Sequence, residues 1–313
     1  MVSPKSVLVT QFEPDGDSPG ELTLFKDRLE LEPLALADCG ELPVYANQDQ
    51  SVLAVVAGVG TANTAVSITA LGMSNAVDVS DSRWVVCGIA GGNPHQCALG
   101  SVVVSDYCVD GDLAFEIDAR ELPQQWSTGI LPLGAREPFG SAVAPDGYFG
   151  RPYQVFQLNE RNVESVLRVA QAIPLADHAD ICKARAGYTL YPEARQAPFV
   201  IQGTTLSGAR FWHGCYANAW AERWVEHWTA GNSVFVASSM EDSGTLHALQ
   251  FLSSIGRASF DRVTLIRGIS NFTLPVDSAA KVETLFSDLA AQNDYAATSL
   301  ALENSFRVVN KIL

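Results

Sequence analysis

The sequence predicts an α/β fold, a central sheet covered by helices and organised as one domain over residues 1–313. Three observations carry that expectation. The chain is 47% hydrophobic and only 18% charged, the balance of a protein that buries a large core. Runs rich in Val and Ile recur with helical patterns between them, the signature of a sheet layered with helices. Several of these runs are apolar without alternation, which implies burial on both faces. Length alone would allow two domains, but α/β folds often exceed about 250 residues as one unit.

In chain order, strands are expected at 6–10, 51–57, 84–88, 100–105, 199–204, 233–237 and 263–266. Each is a short Val-, Ile- or Leu-rich run bounded by Gly, Pro, Ser or Asp. Helices are expected at 63–71, 160–173, 217–229, 244–255, 279–291 and 296–309, the last two closing the fold. In the third of them Trp220, Trp224 and Trp228 recur every four residues, either a packed stripe, the simpler reading, or a ligand cage. The stretch 122–150 breaks periodicity with Pro123, Pro132, Pro138 and Pro145 and reads as a long surface excursion, a binding loop or an inert insertion.

Charge and composition exclude whole classes of function. Twenty Lys and Arg against 35 Asp and Glu leave a formal net charge of -15, a field that repels phosphate backbones and anionic lipid, so nucleic acid is not an expected partner. Gly, Asp, Ser, Asn or Arg interrupts every hydrophobic run before it reaches the length of a membrane span. The N-terminal run behind Lys5 is too short for a signal-peptide core, so a cytoplasmic location is the expectation. The six cysteines form no CxxC pair and do not cluster with the five histidines. Neither a metal site nor any cofactor is expected, and thiols fit a reducing compartment.

Motifs gather where strands end, the place where open α/β sheets collect ligands. Gly58-Val59-Gly60-Thr61-Ala62-Asn63 leads from a strand into a helix, and Gly60 there is either part of a tight turn or a backbone donor to a ligand. Gly88-Ile89-Ala90-Gly91-Gly92 follows a second strand, and Gly88, Ala90 and Gly91 are read as a turn that lets backbone approach a ligand. After the first strand, Glu13 is an acid at a strand end or a solvated loop carboxylate. Met240-Glu241-Asp242 precedes a helix, where Glu241 either favours the helix dipole or accepts from vicinal hydroxyls. Asn271 in Arg267-Gly268-Ile269-Ser270-Asn271 can donate and accept at the edge of a purine, or merely cap a turn.

Taken in order, the acid after the first strand, GxGxxN, GxAGG, LGSVVVSD, SGxxF, MED and RxISN resemble the nucleoside phosphorylase and methylthioadenosine nucleosidase superfamily. Within it, the stretches around Ser101, Glu116 and His213 resemble the purine nucleoside permease branch, over almost the whole chain. The resemblance implies a mixed sheet curling toward a barrel, flanked by helices, and usually a homo-oligomer. It also implies a purine nucleoside as substrate. Met240 and Glu241 would hold the ribose, Phe211 and Trp212 would stack on the base, and Asn271 would face N7 of the leaving purine. An amide cannot act as a general acid at neutral pH, so Asn271 would stabilise the purine by hydrogen bonding alone.

The nucleophile is where this sequence separates itself from phosphorolytic relatives. Their two phosphate-binding arginine positions carry Gln11-Phe12-Glu13 and Val86-Cys87. Glu13 matches instead the acid by which nucleosidases position water, and a carboxylate there repels phosphate by a few kcal/mol at an effective dielectric of about 20. Arg120, Arg210 and Arg267 are the cations that could still reach the site. A purine nucleoside N-ribohydrolase is the leading expectation, with a phosphorylase or a non-catalytic nucleoside-binding protein as alternatives. A pore is not among them, because a chain without a span carries no solute through a bilayer by itself.

Overall fold

A computed structural model of the chain describes residues 1–14, 19–141, 153–276 and 295–313. Its first half runs β1 (Ser6–Thr10), α1 (Thr23–Leu29), β2 (Glu32–Pro33), β3 (Val44–Ala46), β4 (Val52–Val56), α2 (Thr61–Met73), β5 (Arg83–Gly92), β6 (Val102–Asp110), β7 (Ala114–Glu116) and β8 (Ile130–Pro132). The second half runs β9 (Val155–Gln157), α3 (Glu160–Gln171), α4 (Ala179–Ala186), β10 (Val200–Ser207), α5 (Cys215–Trp228), β11 (Phe235–Ser239), α6 (Asp242–Ser254), β12 (Val263–Phe272) and α7 (Tyr295–Val309). The helix expected at 279–291 and the tail of the excursion at 142–150 lie outside the described residues.

Ten strands form one mixed sheet in the order β11-β10-β6-β12-β5-β1-β4-β3-β2, with β9 paired to β6. β4, β1, β5 and β12 run parallel, as do β6, β10 and β11, and β6 meets β12 antiparallel. The sheet then closes on itself. β5 and β11 pair antiparallel through Gly92 with Ala237 and Gly91 with Ser238, so five strands complete a small barrel. The central strands are the unalternated apolar runs, and Val7, Leu8, Val9, Val85, Val86, Leu265 and Ile266 are all fully buried.

Helices cover the barrel, and their packing explains the tryptophan stripe. Trp220, Trp224 and Trp228 stack along α5 with ring centroids 5.5 and 5.8 Å apart, against Val109, Leu206 and Phe235. Trp224 is fully buried and donates to the Asp110 carbonyl at 2.8 Å. The stripe is therefore core, although Trp220 also borders a cavity.

Two expected turns are corrected. β5 continues through Gly88, Ala90 and Gly91 to Gly92, and β12 continues through Asn271 to Phe272. Glycines end strands only when their ladder partners end too, and here each strand supplies the other's partner. The excursion is likewise not structureless, since β8 lies within it and pairs with β7. Gly60 does stand at a turn, as N-cap of α2 with φ 92°.

Candidate active site

The carboxyl ends of β1 and β11 and the middles of β5 and β12 converge on one guanidinium. Arg267 lies opposite Gly88 in the β12–β5 register and is 0% exposed. A Cβ on Gly88 would collide with both the Arg267 guanidinium and the Glu21 carboxylate, so the glycine is what lets this charge sit against β5. Asp242, at the first turn of α6, takes Arg267 in a two-pronged ion pair, with Nε to Oδ2 at 3.2 Å and Nη2 to Oδ1. Glu241 Oε2 lies 3.6 Å from Nη2 and Glu21 Oε1 lies 3.7 Å from Nη1. Gln11 Oε1 and the Ile89 carbonyl accept from Nη1, each at 3.3 Å. Burial alone would lower the pKa of Arg267, but Asp242, Glu241 and Glu21 outweigh it and raise that pKa.

Glu21 is the residue that sequence reasoning missed. It stands one residue before Leu22, the N-cap of α1, and its Oε2 accepts the backbone N–H groups of Gln11 at 2.8 Å and Phe12 at 3.1 Å. Its Oε1 accepts the Ile89 N–H at 2.7 Å, so one buried carboxylate ties the end of β1 to β5. Burial raises its pKa, opposed by Arg267 and by those three N–H groups. The available signal was an acid immediately before the apolar helical run Leu22 to Leu29, a position that favours carboxylates.

Glu13 is engaged elsewhere. Its Oε2 accepts the Leu22 N–H at 3.0 Å, and its Oε1 accepts the Thr23 hydroxyl at 2.9 Å and lies 3.3 Å from Lys26 Nζ. Glu13 thus satisfies the N–H of Leu22, the N-cap residue of α1, and ties itself to the first turn of that helix through Thr23 and Lys26. No hydrogen bond among the described residues links it to Arg267, Glu241 or Asn271.

Glu241 and Asn271 are both buried where β5 meets β11 and β12. Glu241 accepts the Met240 N–H at 3.1 Å, and burial pushes its pKa up to about 7, with Glu21 and Asp242 adding to the rise and Arg267 opposing it. Met240 beside it is half-buried. A bulge at Ser270 sets Asn271 opposite Gly91, whose missing side chain leaves space against the Asn271 amide. Asn271 Oδ1 accepts from Ser270 Oγ at 3.1 Å. Its place inside β12 excludes the turn-cap reading.

The loop after β10 carries the aromatic pair. Its two ends are tied to neighbouring strand ends by Gly208 N–H to the Ser239 carbonyl at 3.1 Å and Gly214 N–H to the Thr273 carbonyl at 2.9 Å. Phe211 is 56% exposed and Trp212 packs on Phe235 with centroids 5.9 Å apart. Both line a cavity of about 600 Å³ together with Ile117, Arg210 and Trp220. Of the cations expected to be able to reach the site, Arg120 is exposed on Asp118, Arg210 pairs with Asp112 at 3.4 Å, and Arg267 alone is at its centre.

A family model described as purine nucleoside permease matches residues 3–313. The chain belongs to the purine nucleoside permease family. Among this family's curated members it is 29% identical over 269 residues to a probable purine nucleoside permease of Schizosaccharomyces pombe, covering 84% of this chain and 75% of that one. It is 25% identical over 250 residues to a purine nucleoside permease of Candida albicans, spanning 78% of this chain and 60% of the relative. For all that name, no helix among the described residues is long and apolar enough to cross a membrane.

Solved structures give this permease-family chain its fold. The methylthioadenosine/S-adenosylhomocysteine nucleosidase of Neisseria meningitidis, in complex with methylthio-immucillin-A, superposes with a TM-score of 0.57 at 16% identity over 100% of both chains. Futalosine hydrolase of Helicobacter pylori gives 0.52 at 14% identity, over 99% of this chain and 98% of its own. The barrel flanked by helices is therefore the nucleosidase fold.

Proposed function

We propose that the chain is a purine nucleoside N-ribohydrolase that uses water, not phosphate, as nucleophile. The observation that supports this best is the charge around Arg267, one guanidinium against the carboxyl groups of Glu21, Glu241 and Asp242. The single cation is already neutralised by Asp242, so a phosphate dianion would enter a field of like charge. The same field favours the positive charge that develops at C1′ as the glycosidic bond stretches.

We assign the water-orienting role to Glu21 in place of Glu13. A carboxylate offers about four acceptor positions, and among the described residues Glu21 spends three on backbone N–H groups, which leaves one for water. In the step proposed, the water oxygen bonds to C1′, its proton passes to Glu21, and the C1′–N9 electron pair leaves with the purine. Asn271 donates to N7 of that departing base, which then takes its proton from solvent. Glu241 accepts from the 2′ and 3′ hydroxyls with Met240 against the sugar, and Phe211 and Trp212 stack on the base.

Purified protein incubated with adenosine, inosine or guanosine should release free base and ribose at a rate independent of phosphate. Ribose 1-phosphate formed in proportion to added phosphate would make it a phosphorylase. Asn271, an amide where an acid would protonate the base, favours a second reading as a nucleoside-binding protein, and tight binding without base release would establish that one.

A further inference from the structure

Among the described residues, the side chain of Gln11 is held at one end and unsatisfied at the other. The residue is 2% exposed at the end of β1. Its Oε1 accepts from Arg267 Nη1 at 3.3 Å, and this fixes the amide, because the opposite orientation would set two donors against each other. Its Nε2 is buried without a hydrogen-bond partner among the described residues. Its backbone N–H meanwhile donates to Glu21 Oε2 at 2.8 Å, and Glu21 Oε1 approaches the same Arg267 Nη1 that Gln11 contacts. A buried donor left unpaired is costly and marks a place where an acceptor from outside the protein belongs.

From this geometry we infer that Gln11 and Glu21 hold the attacking water between them. Gln11 Nε2–H donates to the water oxygen, and the open acceptor position of Glu21 takes one of its hydrogens. The second lone pair is left free to form the bond to C1′ while the proton passes to Glu21 and the C1′–N9 pair leaves with the base. Gln11 is then a nucleophile-positioning residue, and the inference rests on the hydrolytic reading of the site. It also gives a reason for glutamine at this point: an arginine would attract phosphate, and an aliphatic residue would leave the water held from one side only.

The test compares the native protein with Gln11→Met, of nearly the same shape, and Gln11→Leu, which guards against a packing effect peculiar to methionine. Both remove the unpaired donor. With a nucleoside that the native protein hydrolyses, each variant should lose about 10²-fold in kcat, the scale of a misplaced reactant, with KM within about threefold. In water–methanol mixtures the ratio of methyl riboside to ribose should rise in the variants, since a loosely held water competes less well for C1′. Loss of base release by the native protein would overturn the hydrolytic reading and this inference with it. Normal native turnover with unchanged kcat in both variants would overturn the inference alone, and so would a fall in kcat with an unchanged product ratio, which would make Gln11 a structural support for Arg267.

Discussion

Glu13 and Glu21 put the same functional group to different uses, and substitution separates them. Glu21→Gln removes the proposed proton acceptor from a buried position and should lower turnover by about 10² to 10⁴ with ligand affinity within a few-fold. Glu13→Gln should leave turnover near native and cost about 0.5–2 kcal/mol of stability, the worth of a helix N-terminal cap, read as a lower denaturant midpoint. The reverse result would return the role to Glu13. Proximity in sequence to the strand end pointed to Glu13, whereas the chain leaves β1 and comes back to it before α1, so Glu21 arrives at the same strand end by a path that no local motif records.

Glu241 carries the expected pH dependence. Its pKa is raised by burial to about 7, and only the ionised form accepts from both ribose hydroxyls. Ribonucleoside binding should therefore tighten as pH rises through about 7, and Glu241→Ala should weaken ribonucleosides more than 2′-deoxynucleosides, by about 1.5–3 kcal/mol. Stability moves the other way. Between the ordinary carboxyl range and about 7 the folded state holds the extra proton, so the contribution of Glu241 is complete below that range and is lost as pH rises through the folded value. Glu241→Gln should accordingly melt higher relative to native protein at about pH 8 than at about pH 5. Asn271→Asp, which restores a carboxyl beside the base, should shift turnover toward acid pH, and overlapping profiles would place Asn271 away from the leaving group.

Among the elements, β5 and β12 define the site by lying side by side for their whole length. Gly88 permits the contact, so Gly88→Ala should displace Arg267 and Glu21 together. The expected cost is about 1–3 kcal/mol, as for other overpacked positions, with base release lost even at temperatures where the variant stays folded. The sequence was read well up to the middle of these strands and poorly beyond. Apolar runs announce burial, but a glycine needed for close approach and one needed for a turn look alike until the neighbouring strand is known. The bulge at Ser270 was hidden for a related reason, since it exists only as a difference in count between two strands. The helical stripe on α5 was legible because its period lies within one element.

On the scale of the whole molecule, a net charge of -15 surrounds a site that is itself rich in carboxylates. Neutral nucleosides should be strongly preferred to their monophosphates, and added salt should narrow the difference by screening the long-range part of the repulsion. Inhibition constants for adenosine and adenosine monophosphate at low and high ionic strength would measure it. Phe211, Tyr216 and Ile117 are exposed in the lining of the cavity, an apolar surface of the kind that association covers. A homo-oligomer is the expected state, and light scattering on the eluting protein would give its mass.

The closure of the sheet through β5 and β11 also bears on how the protein behaves when concentrated. Among the described residues the closed ring leaves few backbone groups unpaired, chiefly at the start of β10, and the strands at the margin of the large sheet, β2 and β9, are two and three residues long. β2 consists of Glu32 and Pro33, a charge and a residue without an N–H to donate. Such an edge is a poor template for another chain. Growth by strand addition, the route to fibrils, is disfavoured at these margins, and crowding should yield assemblies joined through side chains that dissolve again on dilution.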